Sequence, residues 1–321
     1  MSHISDIKKC LLAAGAATLM LLPAALSANG RDSHHFSTVK SPVIPHSVEF
    51  AGQKINLDDM MMAERYDREL TSLAYTHGTT LLIIKRANQL FPILAPILKK
   101  NGIPEDLLYL ACIESSLNPF AISPAKAAGL WQFMPATGRE YGLEVSDEVD
   151  ERYHIAKSTD AACRYFKKAY DRFGRWESVA ASYNAGQGRI SRELTDQQVE
   201  SAFDLWLVPE TSRYMFRLMA MKEIMEHPHR YGYSLTRDQL YQPYEYREVQ
   251  VDSAVTSWPQ WAREQGIDYL RLRLHNPWIR AKKLTNANSK TYTVLIPTEE
   301  SQKRSSSHKS VYNHDWIDNR K

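Results

Sequence analysis

Over residues 58–233 the apolar side chains of this sequence recur every three to four positions, and the periodic stretches are punctuated by Gly, Pro and Asn. A chain with that period buries its apolar faces helix against helix, so the larger part of it is expected to be mainly α. "DDMMMAERYDRELTSL" and "TTLLIIKRANQLFPILAPILKKNG" read as two helices, with Pro92 and Pro96 interrupting the second and Gly102 ending it. The "LLIIK" run inside the second reads as core rather than membrane contact. "STDAACRYFKKAYDRFG" reads as a helix capped by Ser158 or Thr159 and closed by Gly174, and "WESVAASYNAG" and "ETSRYMFRLMAMKEIMEH" read as two more. Beyond Ser234 the period falls to two. "YREVQVDSAVTSW" and "KTYTVLIP" read as strands, with "WPQWAREQG" and "DYLRLRLHNP" as short helices between them, giving a small α+β module.

The chain has 321 residues, enough for roughly two domains. A net charge of +3 is too small to argue for nucleic acid and fits an anionic polymer as partner. Lys8 and Lys9 precede "CLLAAGAATLMLLPAALSA", which ends in small residues near Ser27 and Ala28. That is the order of a signal peptide over residues 1–28, and it predicts an exported protein, periplasmic or associated with the cell envelope. Leu26 fits a cleavage site poorly, which leaves retention as an anchor, and so membrane association through the N-terminal segment, open. Cys10 directly follows Lys9, too early for lipid attachment at the end of the apolar run. Residues 29–55 read as a polar linker, and no later apolar run has the length of a membrane span. The two remaining cysteines, Cys112 and Cys163, could be paired or free and buried.

Glu114 is the one carboxylate in an otherwise buried pattern. On a helix starting at Pro104, Leu107, Leu110, Ala111 and Glu114 share one face. Glu114 then continues the core stripe and occupies the last turn. Partial burial and the negative end of the helix dipole both disfavour its charged form, so its pKa should be raised. A carboxyl still protonated near neutral pH can serve as a general acid. A lone buried Glu is more often half of a structural ion pair, and it is the company of Glu114 that shifts the balance. "AAGLWQFMPATG" supplies Gly129, the amide of Gln132 and apolar walls from Trp131, Phe133 and Met134. "SYNAGQGRI" supplies Tyr183 and Asn184 before two glycines. Amides, hydroxyls and aromatic faces around one carboxyl group suit a polyhydroxylated ligand better than a phosphate or a metal.

In order, "IESSLNPFAIS", "AAGLWQFMPATG", "ASYNAGQGRI" and "VPETSRYM" resemble the motifs of lytic transglycosylases with a goose-type-lysozyme-like domain, over about residues 103–233. The resemblance implies a lysozyme-like α-helical domain that cleaves the β-1,4 bond between N-acetylmuramic acid and N-acetylglucosamine in peptidoglycan without water, leaving a 1,6-anhydro end. It implies that Glu114 is the single acid and base. It also implies that Ser115, Gln132, Met134, Tyr183, Asn184 and Tyr214 line the sugar site or hold the carboxyl. Trp131 departs in size from the family's usual Met or Ile. The C-terminal segment resembles a divergent LysM module, including "HNP" and the final "IP", though the usual Gly-Asp opening is missing.

The expected organisation is a signal peptide over 1–28, a linker and helical segment over 29–95, the lysozyme-like domain over 96–235, the LysM-like module over 236–300 and a disordered tail over 301–321. No cofactor or metal is expected, since His34/His35 and His227/His229 lack other ligands at metal spacing. The expected partner is the glycan strand, with no nucleic acid, and the expected state a monomer. Two alternatives stay open: a hydrolytic muramidase on the same scaffold, and a glycan-binding protein without chemistry.

Overall fold

A computed structural model describes residues 40–304 and 310–318, so the signal peptide and the His34/His35 pair lie outside the described residues. The described chain opens with a hairpin of β1 (Ser47–Phe50) and β2 (Gln53–Asn56), paired antiparallel with Val48 opposite Ile55. The linker expected over 29–55 is thus partly a hairpin. Its turn residues Ala51 and Gly52 both take positive φ, and the Ala51 amide donates to Asp106 at 2.6 Å. Phe50 is buried, so even these short strands contribute to the core.

Helices α1 (Met60–Tyr75) and α2 (His77–Lys100) follow. Contrary to expectation, α2 runs through Pro92 and Pro96. Both prolines stand on its exposed side, while Ile83, Ile84, Phe91 and Leu94 face the core. By length and composition α2 could span a membrane, but its apolar face is packed inside the protein. Next come α3 (Leu108–Ser115), α4 (Pro135–Glu140), α5 (Ile155–Phe173), α6 (Trp176–Ala185), α7 (Gln187–Asp196) and α8 (Pro209–Glu226). The cap of α5 is His154, not Ser158 or Thr159, whose side chains lie inside the core. Small residues Ala180, Ala181 and Ser182 are buried along α6, which lets α5 and α8 approach it closely. Cys112 and Cys163 are free and buried, and burial pushes both thiols up.

The C-terminal module runs β3 (Tyr246–Val251), α9 (Trp258–Glu264), α10 (Tyr269–His275) and β4 (Tyr292–Pro297), with β3 and β4 antiparallel. The Asn of "HNP" explains that motif. Asn276 is buried, donates to the carbonyls of Leu272 and Leu295, and accepts from the Leu295 amide, which ties the end of α10 to β4. The module's core also takes in Ala128, Val149 and Tyr153 from the helical domain. Hydrogen bonds from the Asp150 amide to the Trp278 carbonyl and from the Arg280 amide to the Glu148 carbonyl, both 2.9 Å, extend the same contact.

The expected disordered tail is ordered over residues 310–318. Trp316 is buried with its indole donating to the Met225 carbonyl at 2.7 Å, and Ile317 bridges Leu235. A polar average over the tail hides these apolar residues, which pack against Phe91.

The brace between α1 and α8 is electrostatic as well as apolar. Glu69 on α1 is 1 % exposed and accepts from Arg213 (2.6 Å) and Arg217 (3.1 Å) on α8 and from Arg68 (3.0 Å). Burial acts to raise its pKa, but the hydrogen bonds from Arg213 and Arg68 and the field of Arg217 outweigh it and hold the carboxyl below the ordinary Glu value. A depressed carboxyl stabilises the fold at neutral pH and loses that contribution as pH falls through its folded pKa. Glu69→Gln should therefore cost about 3–4 kcal/mol at pH 7, the lower part of the range for breaking a buried pair because the arginines can recover water. Urea midpoints at pH 7 and pH 3 should show the loss shrinking on acidification.

Candidate active site

Helix α3 ends one residue after Glu114, and the chain leaves it in an unusual way. Ser116 (φ 52°) and Leu117 (φ 54°) are both left-handed, and Lys126 (φ 68°) and Gln132 (φ 49°) repeat this further along the loop. Such conformations cost non-glycine residues roughly 1 kcal/mol each and persist only where surroundings impose them. Here the impositions are visible. Arg86 donates to the Ser116 carbonyl at 2.9 Å, and Leu117 is buried. Buried Arg152 forms a bidentate pair with Asp150 and donates to the carbonyls of Lys126 (2.7 Å) and Phe133 (2.9 Å). Gly129 (φ +78°) passes so close to the Arg152 carbonyl that an added Cβ would overlap it. Its close approach is to the protein's own backbone.

The loop over 116–134 is thereby a fixed wall beside Glu114. Glu114 itself is partly buried, and Tyr214 on α8 donates a short hydrogen bond to its Oε1. Oε2 has no protein partner among the described residues. Burial is the main influence on this carboxyl and raises its pKa. The Tyr214 hydrogen bond opposes it, Glu210 raises it further and Arg217 lowers it, and the result is about 7. Near neutral pH the group is therefore poised between acid and base. Because Oε1 accepts from Tyr214, the protonated form of the carboxyl carries its proton on Oε2.

Of the other sequence-predicted residues, Tyr214 bonds this carboxyl and Tyr183 lies within its field, and several are turned to other tasks. Ser115 is buried and its hydroxyl donates back to the Ala111 carbonyl at 3.0 Å. Gln132 donates from Nε2 to the carbonyls of Gly129 (2.8 Å) and Ala121 (3.3 Å), so its amide is not free as a bidentate pair. Trp131 is no groove wall: it is fully buried, with its indole donating to Thr159 at 2.9 Å. Phe133 is buried too, and Met134 is exposed. Tyr183 donates to the Trp131 carbonyl at 2.7 Å and packs on Tyr165 and Phe166, which locks α6 to the loop. Asn184 accepts from Thr211 at 2.8 Å through Oδ1, which leaves its Nδ2 group without a protein partner among the described residues. Sequence reasoning missed Arg86, Arg152, Arg217 and Thr211. Apart from the pair of Arg152 with nearby Asp150, their partners are backbone carbonyls or distant side chains, which no local spacing reveals.

Two outcomes test this geometry. A group whose pKa is raised on folding contributes stability below its unfolded value, here about 4.5, and loses it as pH rises through about 7. Glu114→Gln should accordingly match the wild type at pH 5 and exceed it at pH 8 by about 1–3 kcal/mol, read from urea midpoints. Gly129→Ala should lower stability by about 2–4 kcal/mol, because both its φ and the Arg152 carbonyl oppose a side chain.

Residues 92–205 match the family model described as "Transglycosylase SLT domain", and residues 247–300 match "Soluble lytic transglycosylase C-terminal LysM-like domain". The chain is 32 % identical over 194 residues to membrane-bound lytic murein transglycosylase D of Escherichia coli, covering 58 % of this chain and 42 % of that protein. It is 30 % identical over 133 residues to membrane-bound lytic murein transglycosylase C of Haemophilus ducreyi, covering 37 % of this chain and 36 % of that protein. It thus spans less than half the length of these two relatives. Among solved structures, the 70 kDa soluble lytic transglycosylase of Escherichia coli aligns with a TM-score of 0.37 at 21 % identity, over 43 % of this chain and 24 % of that one. The chain carries an SLT transglycosylase domain followed by a LysM-like domain, and it is homologous to membrane-bound lytic murein transglycosylase D.

Proposed function

We propose that this protein is a peptidoglycan lytic transglycosylase in which Glu114 is the sole general acid and base. The observation that carries the reading is the Glu114 carboxyl, half withdrawn from water, held at Oε1 by Tyr214 and free at Oε2. Protonated Glu114 gives its Oε2 proton to the glycosidic oxygen as the bond to C1 of the muramoyl residue breaks. The carboxylate left behind takes the proton of the muramoyl C6 hydroxyl as that oxygen closes on C1. One glycosidic bond is exchanged for one internal ether bond, Glu114 ends protonated again, and no water is consumed.

Ordinary glycosidases need a second carboxylate as nucleophile or base. Glu210 is the other acid whose field reaches Glu114, and it stands exposed in the first turn of α8, a position that suits a carboxylate for reasons of helix stability alone. Closure by the sugar's own hydroxyl requires no such partner. The free Nδ2 of Asn184 is a donor for a sugar oxygen or acetamido group. Ser115, Gln132 and Tyr183 would act by positioning the walls, and Met134 by offering an apolar face. The protein would work outside the cytoplasm on glycan strands, with the LysM-like domain docked beside the catalytic one.

Digestion of purified sacculi, read by mass spectrometry, separates the outcomes. Wild-type protein should release muropeptides one water lighter than hydrolytic products, and Glu114→Gln should reduce release by about 10²–10⁴-fold. Since the protonated form starts the reaction, activity should fall as pH rises past about 7. Products carrying the full mass of water would make the enzyme a muramidase, and equal release by both proteins would remove Glu114 from the chemistry.

A further inference from the structure

Six of the seven tryptophans are buried or half-buried, whereas Trp206 is 89 % exposed. Leaving an indole in water forgoes about 2–3 kcal/mol of burial free energy, so the fold gains nothing from it there. Its placement is nonetheless fixed. Leu205 and Leu207 on either side are buried and anchor the segment, which throws Trp206 outward. Gln197 grips the same residue from both sides of its backbone: its Nε2 donates to the Trp206 carbonyl (3.0 Å) and its Oε1 accepts from the Trp206 amide (2.8 Å). Arg65 fixes the ends of the segment by donating to the Phe203 carbonyl at 2.8 Å and to the Ser212 hydroxyl at 3.1 Å.

The segment leads straight into α8, the helix that carries Tyr214 against Glu114. Thr211 reaches Asn184, Glu210 acts on the Glu114 carboxyl, and Tyr214 bonds it. Chain length limits Trp206 to about 18 Å from the Tyr214 backbone. The loop after α3 also exposes Phe120, Ile122 and Met134. We propose that Trp206 is a stacking platform for a sugar ring of the glycan strand, several residues away from the bond being cleaved. A pyranose presents an apolar C–H face that an aromatic plane covers well, and a side chain with two rotatable bonds on a clamped backbone loses little entropy in binding it.

The platform rests on the glycan-cleaving reading, so its test uses binding alone, in a Glu114→Gln background that leaves strands intact. Trp206 should dominate the fluorescence quenched by acrylamide. Saturating glycan strands should protect it, and Glu114→Gln/Trp206→Ala should bind those strands about 5–10-fold more weakly, with Trp206→Phe restoring part of the affinity. In the active protein, Trp206→Ala should raise KM on long strands and leave kcat unchanged. Strand binding with the indole still open to acrylamide, or with unchanged affinity in Trp206→Ala, overturns the platform and leaves the proposed reaction standing. Failure of the Glu114→Gln protein to bind strands at all overturns both. Protection by phosphatidylglycerol vesicles but not by strands would make Trp206 a membrane contact and overturns the platform as well.

Discussion

The geometry at Glu114 depends on another carboxylate, buried in a different contact of the fold. Glu69 is buried in the contact between α1 and α8, and Arg213 and Arg217 reach to it from α8. An unpaired charge in that position would be prohibitively costly, so α8 has one rotation and one height at which all the groups are satisfied. That setting places Tyr214, one residue past Arg213, against Glu114. Thr211, on the preceding turn, then falls beside Asn184. Both helices of this brace lie outside residues 92–205, the span of the matched domain model. The geometry at Glu114 is therefore set partly by elements that flank the recognisable domain.

The other wall of the cleft is held from the opposite side. Left-handed residues at 116, 117, 126 and 132 would relax in an isolated loop. Arg152 prevents this by taking two loop carbonyls while paired to Asp150, and the same stretch of chain carries the contact with the C-terminal module. Glu148 accepts from Thr285 at 2.7 Å through the backbone amide and at 2.8 Å through the hydroxyl, and Tyr292 donates to Glu144 at 3.0 Å. Trp278 stacks between Tyr292 and His154, the cap of α5. The module is thus packed against the segment that supports the loop, and its docking stabilises the wall whether or not it also touches glycan.

Glu114 was legible in the sequence because its signal is local: one carboxylate in register with Leu107, Leu110 and Ala111. The strand-helix-helix-strand order was legible for the same reason, since a change of period needs no tertiary knowledge. What the sequence concealed was which face of each motif residue does the work. Trp131 and Met134 stand three apart in one motif, yet Thr159 gives the indole a buried partner while Met134 is left in solvent. Gln132 and Tyr183 read as ligand groups because amides and phenols usually are, but the loop's own carbonyls lie nearer than any ligand could. The ordered tail escaped notice because its few anchoring aromatics are diluted by serines and lysines, and Trp206 because an exposed and a buried tryptophan look alike in a sequence.

The brace also bears on acidity. Arg217 lowers the pKa of Glu114 while donating to Glu69 at 3.1 Å. A guanidinium near a catalytic acid would ordinarily hold it ionised, which would deprive the reaction of its proton. Burial nonetheless outweighs the field of Arg217, while the Tyr214 hydrogen bond favours the ionised form. A single group asked to be acid first and base second needs both forms within reach near neutral pH. For the mechanism proposed above, the balance of burial, Tyr214, Glu210 and Arg217 would provide that.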